Sequence, residues 1–197
     1  MEGLNFIKNY VKSSISLKET VLSDEGLLNT IAAVVNKGTS ALQNGNKIII
    51  AGNGGSAADS QHIAAEFVSR FFYDRPGLPA IALTTDTSIL TAIGNDYGYE
   101  KVFSRQIQAI GRKGDIFIGI TTSGNSKNII EAIHEAKKSG LYTVGLCGNK
   151  GSILELADIC LSVPSDITPY IQESHIMIGH IICAMVERNM FPEENKA

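Results

Sequence analysis

The sequence predicts an α/β fold, a three-layer sandwich with a five-stranded parallel sheet flanked by helices and preceded by N-terminal helices. Three observations predict it. Five short apolar runs rich in Ile and Val recur along the chain, segments with helical periodicity separate them, and no repeat, low-complexity tract or long linker interrupts the series. The runs are continuous rather than alternating, as strands buried on both faces require.

From Phe6 to about Leu42 the apolar residues recur at helical spacing, as Ile7, Val11 and Ile15 and then as Leu27, Leu28, Ile31, Val34 and Val35. The segment SDEG, Ser23 to Gly26, offers a cap for the second of two helices. The strands are expected at KIIIA (Lys47 to Ala51), AIALT (Ala80 to Thr84), DIFIGI (Asp115 to Ile120), TVGLC (Thr143 to Cys147) and ICLSV (Ile159 to Val163). Helix and loop signals mix between Asp86 and Tyr99, and a last helix is expected from about Tyr170 to Arg188, with Pro192 beyond it. The chain is expected to form one domain over residues 1–197, with about 1–45 as the N-terminal helices and 46–190 as the α/β core.

A chain of 197 residues, 44% of them hydrophobic, can bury roughly two thirds of its unfolded surface without staples. The cysteines, Cys147, Cys160 and Cys183, are odd in number and lack a C-x-x-C spacing, which argues against a disulfide framework or a thiolate zinc site; they are expected to be reduced and buried. The N-terminus lacks the pattern of a signal peptide, and no stretch approaches 18 uninterrupted apolar residues, so a cytoplasmic protein is expected. Net charge is −3 with scattered basic residues, which argues against a nucleic-acid footprint and for a small molecule or another protein as partner.

Two strands end in loops of one chemical kind. GNGGS, Gly52 to Ser56, follows the first, and TTSGNS, Thr121 to Ser126, follows the third. Both run into helices, so backbone N–H groups and the positive end of a helix dipole face the carboxyl edge of the sheet, where open α/β folds bind ligands. Thr121, Thr122, Ser123 and Ser126 add hydroxyls that can donate to phosphate oxygens. GNGGSA is neither a Walker loop nor G-x-G-x-x-G. Either loop alone is as well explained by capping and tight turns, whereas the hydroxyl-rich one in this setting points to a bound phosphate.

His62 and Glu66 lie at i and i+4, about 40° apart around a helix, and share a face just beyond the first loop. By themselves they could be a surface pair. In YIQESHIMIGH, Gln172 is separated by about 80° from His180 and by about 60°, the other way, from His175, so spacing does not choose between the two histidines. His134 reads as a solvated residue, His175 as structural or interfacial, and Tyr97, Tyr99 and Phe103 as packing groups. Arg70 follows Glu66 by four residues on the same expected helix, where it could pair with that carboxylate or reach a substrate.

The motifs AGNGGSAADSQH, AIGNDYGYEKVFSRQI, TTSGNS and IQESHIMIGH, in that order, resemble the phosphoheptose isomerase family within the sugar isomerase (SIS) fold, over about Gly26 to Glu187. The resemblance implies that Thr121, Thr122, Ser123 and Ser126 hold a sugar phosphate. It implies that Asn53, Gly54, Gly55, Ser56, Glu66, Asn95, Asp96 and Gln172 also contact substrate. It places His62, Glu66, Gln172 and His180 around one centre, where some members bind zinc, and it makes Glu66 the base and His180 the acid of an aldose–ketose isomerisation through an enediol. The implied substrate is sedoheptulose 7-phosphate and the product D-glycero-D-manno-heptose 7-phosphate, a precursor of nucleotide-activated heptose for surface polysaccharide.

With the apolar terminal helices, the resemblance also implies a homotetramer with sites at subunit boundaries. The chain departs from the family at DITPYIQE, where Pro169 and Tyr170 stand in place of the charged residues often present there. Contacts from that segment are therefore not carried over. The rival reading is a non-catalytic SIS-fold adaptor for the replication initiator. Such relatives tend to lack the acid–base pair, whereas Glu66 and His180 are both present here.

Overall fold

The structure, a computed structural model, describes residues 2–192. Two helices open the chain, α1 (Glu2–Ser23) and α2 (Glu25–Gln43). They divide at Asp24, whose Oδ1 accepts from the Leu27 amide at 2.9 Å, so the cap falls inside the SDEG segment. The later elements are β1 (Ile48–Gly52), α3 (Gly55–Val68), β2 (Ala80–Ala82), α4 (Thr87–Tyr97), a 3-10 turn (Tyr99–Lys101) and α5 (Ser104–Ile110). They continue with β3 (Ile116–Thr121), α6 (Lys127–Lys138), β4 (Tyr142–Cys147), α7 (Ile153–Leu156), β5 (Ile159–Ser162) and α8 (Thr168–Met190).

The strands pair in parallel in the order β2-β1-β3-β4-β5, with Ile48 aligned to Ala80 on one side and to Ile116 on the other. Strand alternation sends Ile48, Ile50, Ile116, Ile118 and Ile120 into one core with α2, α3 and α8. Ile49, Ala51 and Phe117 enter the second core, with α5, α6 and α7. Both faces are therefore dry, as the continuous apolar runs predict. Truncating a residue such as Ile50, which is fully buried, to Ala would cost about 2–5 kcal/mol.

The first two helices differ in what they cover. α2 buries a full stripe from Leu27 to Leu42, whereas α1 buries only Val21 among its described residues and leaves Leu4, Phe6, Ile7, Val11, Ile15 and Leu22 exposed.

Strand and helix ends shift by one or two residues from expectation, and in two regions the cause is visible. The second strand stops at Ala82, two residues short of Thr84, because it is an edge strand whose ladder ends with Leu83 N donating to Ile50 O at 2.9 Å. Between Asp86 and Tyr99 the chain forms α4, capped by Asp86 Oδ1 accepting from Ile89 N at 2.9 Å. No residue of α4 is buried, which is why its apolar periodicity was weak in the sequence.

The order β2-β1-β3 positions the site. The chain leaves β1 toward one edge to form β2, then crosses back to form β3 on the other side of β1. The loops after β1 and β3 therefore diverge, leaving a crevice at the carboxyl ends of the two strands, with Gly52 aligned to Ile120.

Candidate active site

The hydroxyl loop is built from consecutive residues. Thr121 ends β3 and is buried; its Oγ1 lies 2.8 Å from Ser126 Oγ and 3.3 Å from Ser123 Oγ, so three hydroxyls converge. Ser123 Oγ also accepts from Asn125 N at 3.2 Å, and Ser126 stands in extended conformation at the N-terminus of α6. Gly124 makes the turn possible. Its φ is +69°, and a Cβ there would lie 2.1 Å from the Lys150 carbonyl oxygen. Thr122 is part-exposed at the rim, with its carbonyl accepting from Gly148 N.

The first loop is tied to the second by an amide pair that the sequence did not announce. Asn53 Nδ2 donates to Asn128 Oδ1 at 2.9 Å, and Asn128 Nδ2 returns a bond to Asn53 Oδ1 at 2.8 Å. Asn128 is buried in the first turn of α6, and Tyr99 O–H donates to Asn53 Oδ1 at 3.2 Å. Gly55 admits the start of α8: a Cβ at that position would lie 2.6 Å from Gln172 Nε2. Gly54, with φ +56°, precedes α3, and Ser56 is buried in its first turn.

Nearly two turns further along α3, His62 Nε2 lies 3.0 Å from Glu66 Oε1. α8 packs on α3 and brings His180 Nε2 to 3.4 Å from His62 Nε2, so one atom from each of His62, Glu66 and His180 falls within 4.8 Å of the others. Between His175 and His180, which spacing left open, the structure assigns His180 to the cluster. His175 is fully buried, and neither ring nitrogen has a hydrogen-bond partner. Burial pushes its pKa down to about 4, with the Cys147 backbone opposing, so it is a neutral core residue near pH 7.

Asp59 stands one turn before His62. Burial raises its pKa, while the fields of His62 and His180 act the other way. The spacing Asp59, His62, Glu66 at i, i+3 and i+7 was a readable signal for a third polar group on this face. Cys183, behind the cluster, is buried, and burial first and Glu66 second push its thiol well above the usual range. All three thiols are free, Cys147 and Cys183 buried and Cys160 half-buried.

Three expectations are corrected. α3 ends at Val68, so Arg70 is exposed beyond the helix rather than on it, and the side chain that meets the Glu66 carboxylate is His62. The helix stops there because Arg75 takes up its terminal carbonyls. Tyr97 and Tyr99 are 54% and 63% exposed and are not core packing groups; only Phe103 of that trio is buried. The Arg105 guanidinium lies 4.4 Å from the Tyr97 ring centroid, and Tyr99 serves the first loop through Asn53. His134 is exposed, as expected.

Asn95 and Asp96 sit exposed in the last turn of α4, where Asn95 Nδ2 donates to Asp96 Oδ1 at 2.8 Å. Among the described residues, no hydrogen bond or ion pair ties either of them to the loops or to the histidine cluster. At the departure from the family pattern, the Tyr170 ring packs 4.8 Å from that of Tyr10. Glu173 accepts from Tyr10, Ser14 and Lys18, so this segment holds α1 on α8 and its polar groups lower the Glu173 pKa.

Two imidazole nitrogens and a carboxylate oxygen are a donor set that suits zinc. The separations of 3.0 and 3.4 Å compare with about 3.3 Å between two ligands 2.0–2.1 Å from a tetrahedral ion. His62, Glu66 and His180 thus fit a metal in chemistry, with two of their three separations near tetrahedral ligand spacing and all within 4.8 Å.

Residues 9–148 match the model of the SIS domain family. The chain is similar to the phosphoheptose isomerase of Aneurinibacillus thermoaerophilus, 63% identical over 95% of each chain. It is also similar to phosphoheptose isomerase 2 of Campylobacter jejuni, 59% identical over 97% of this chain and 96% of the relative. Among solved structures, a phosphoheptose isomerase from Francisella tularensis has a TM-score of 0.91 at 38% identity, covering 95% of this chain and all of that one. That of Neisseria gonorrhoeae has a TM-score of 0.87 at 40% identity, covering 93% and 98%.

Proposed function

Because the chain belongs to the phosphoheptose isomerase family of SIS-domain proteins and is a sugar-phosphate isomerase, we propose that it interconverts sedoheptulose 7-phosphate and D-glycero-D-manno-heptose 7-phosphate. The observation that carries this reading is the meeting of Glu66 and His180 through His62, between α3 and α8, in a chain that also gathers the hydroxyls of Thr121, Ser123 and Ser126 at the carboxyl edge of the sheet. The hydroxyls suit an anion and the cluster suits proton transfer, the two functions that a substrate with a terminal phosphate and a remote carbonyl requires.

In this mechanism Ser123, Ser126 and Thr122 donate to the phosphate, assisted by the N-terminus of α6, and buried Thr121 orients the two serines. The first loop, from Asn53 to Ser56, with Gln172 and the exposed Asn95 and Asp96, contacts the sugar chain. Glu66 removes a proton from C1 of the ketose while His180 protonates the oxygen on C2, giving the 1,2-enediol. Loss of the C1 hydroxyl proton and return of a proton to C2 then give the aldose. Phosphate binding far from C1 and C2 supplies positioning energy that the chemical step can use.

Zinc is the proposed cofactor, held by His62, Glu66, Gln172 and His180; when bound it can polarise the carbonyl. Calorimetric titration with zinc should show one site per chain, lost in His62→Ala. We place the enzyme in the cytoplasm, feeding synthesis of nucleotide-activated heptose for surface polysaccharide. A homotetramer is proposed as well, because six large apolar side chains stand exposed along α1. Light scattering tests the assembly, and a monomer at micromolar concentration would refute it.

The substrate is tested by adding sedoheptulose 7-phosphate to purified protein and following aldose formation by NMR, with hexose and pentose phosphates in parallel. Turnover of the heptulose alone supports the proposal. Turnover confined to a shorter sugar would reassign the substrate, and no turnover with any would favour the adaptor.

A further inference from the structure

Beneath the cluster lies a buried ion pair that the mechanism above does not use. Arg75 Nε donates to Glu187 Oε1 at 3.0 Å, and the two side chains are 1% and 0% exposed. Withdrawing two charges from water is costly, and such a pair often stabilises a fold no more than apolar packing would. What these residues hold is more informative.

The Arg75 guanidinium caps the C-terminus of α3. Nη2 donates to the Glu66 carbonyl at 2.8 Å, and Nη1 to those of Phe67 at 2.6 Å, Ser69 at 2.9 Å and Pro76 at 3.1 Å. The last carbonyls of a helix lack intrahelical partners, and a cation is favoured there by the dipole. One planar group thus fixes the terminal turn that carries Glu66, a geometry that the point charge of lysine cannot reproduce.

Glu187 fixes the other half. It lies seven residues after His180 on α8, two turns along the same face. Besides Arg75 it accepts from the amides of Phe71 and Phe72, both at 2.8 Å. The Phe71 ring, held at its backbone in this way, lies 5.5 Å from the His180 ring.

We propose that Arg75 and Glu187 are positioning residues that set the separation of Glu66 and His180, joining the end of α3 to α8 through a clamp that never touches substrate. This rests on the assignment of Glu66 as base and His180 as acid. It also accounts for the length of the segment between α3 and β2, which must fold back to bring Arg75 beneath Glu66.

The test uses full-length Arg75→Lys and Glu187→Gln beside Glu66→Gln, assayed on sedoheptulose 7-phosphate in deuterium oxide. Each clamp variant should lower kcat by about 10- to 100-fold, as small misplacements at a reacting centre do, with inhibition by inorganic phosphate unchanged. The ratio of deuterium exchanged into recovered ketose to aldose formed should also shift, because both rates belong to correctly folded molecules. A lower folded fraction would scale exchange and turnover equally and leave the ratio unmoved. Should either variant fail to fold, Phe71→Leu keeps the amide bonded to Glu187 and removes only the ring beside His180, and it should shift the same ratio. Folded variants with a parental ratio and kcat within about twofold would overturn the clamp. Near-parental turnover by Glu66→Gln would instead overturn the acid–base assignment on which it rests.

Discussion

The hydroxyl loop and the histidine cluster are assembled in opposite ways. Thr121, Ser123 and Ser126 come from a six-residue segment, and their geometry follows from a strand, a glycine at φ +69° and a helix start. His62 and His180 are separated by 118 residues and meet only because α8 packs on α3. Binding chemistry built on one turn depends on local backbone conformation, whereas proton-transfer chemistry built across two helices depends on the whole packing of the face. Substitutions in the first region should therefore act on KM and those in the second on kcat.

The largest effect that sharpens this contrast lies in the cluster. Glu66→Gln and His180→Gln should each lower kcat by about 10²–10⁴-fold, the usual worth of a positioned acid or base. The double variant should lose far less than the product of the two factors, because both residues serve one proton-transfer cycle. Full multiplicativity in steady-state kinetics would mean that the two side chains act in separate steps.

The same contrast explains what could be read in advance. Strand runs such as Ile48 to Gly52 were legible because burial on both faces leaves continuous apolar sequence, and the loop serines because turn and phosphate chemistry are local. His62 and Glu66 were visible as an i, i+4 pair, but choosing His180 over His175 needed α8 placed on α3, or a family resemblance. Arg75, Glu187 and Asn128 carried no signal, since a buried polar residue is written with the same letters as a solvated one and side-chain partners far along the chain, 112 residues apart for Arg75 and Glu187 and 75 for Asn53 and Asn128, distinguish it. Arg70 misled for a related reason. Helical spacing continues past Val68 in the sequence, but the helix stops where Arg75 takes its carbonyls.

A smaller effect is expected in the loop. Ser123→Ala and Thr122→Ala each remove a hydroxyl donor to a charged acceptor, worth about 1.5–3 kcal/mol, and should raise KM and the inhibition constant of inorganic phosphate by about 10- to 100-fold with little change in kcat. A fall in kcat at constant KM, measured by initial rates, would break the division between the two regions.

The smallest effect concerns the packing beneath both. His175 is buried neutral with a pKa of about 4, below the ordinary 6.5 of the unfolded chain. Between those values the unfolded state binds the extra proton, so stability is intact above pH 6.5 and is lost as pH falls toward 4. The cost is about 1.4 kcal/mol at pH 5.5. His175→Leu should flatten this part of the acid limb in urea melts at pH 7.0 and 5.5, and an unchanged pH dependence would mean that another group carries it.

The central claim is that Glu66 moves the carbon-bound proton of a phosphorylated ketose, and it is tested most directly by NMR of parent and Glu66→Gln with sedoheptulose 7-phosphate in deuterium oxide. The parent should form the aldose with deuterium at C2, at least in part, and Glu66→Gln should bind inorganic phosphate normally while forming almost none. Near-parental aldose formation by Glu66→Gln would contradict the claim.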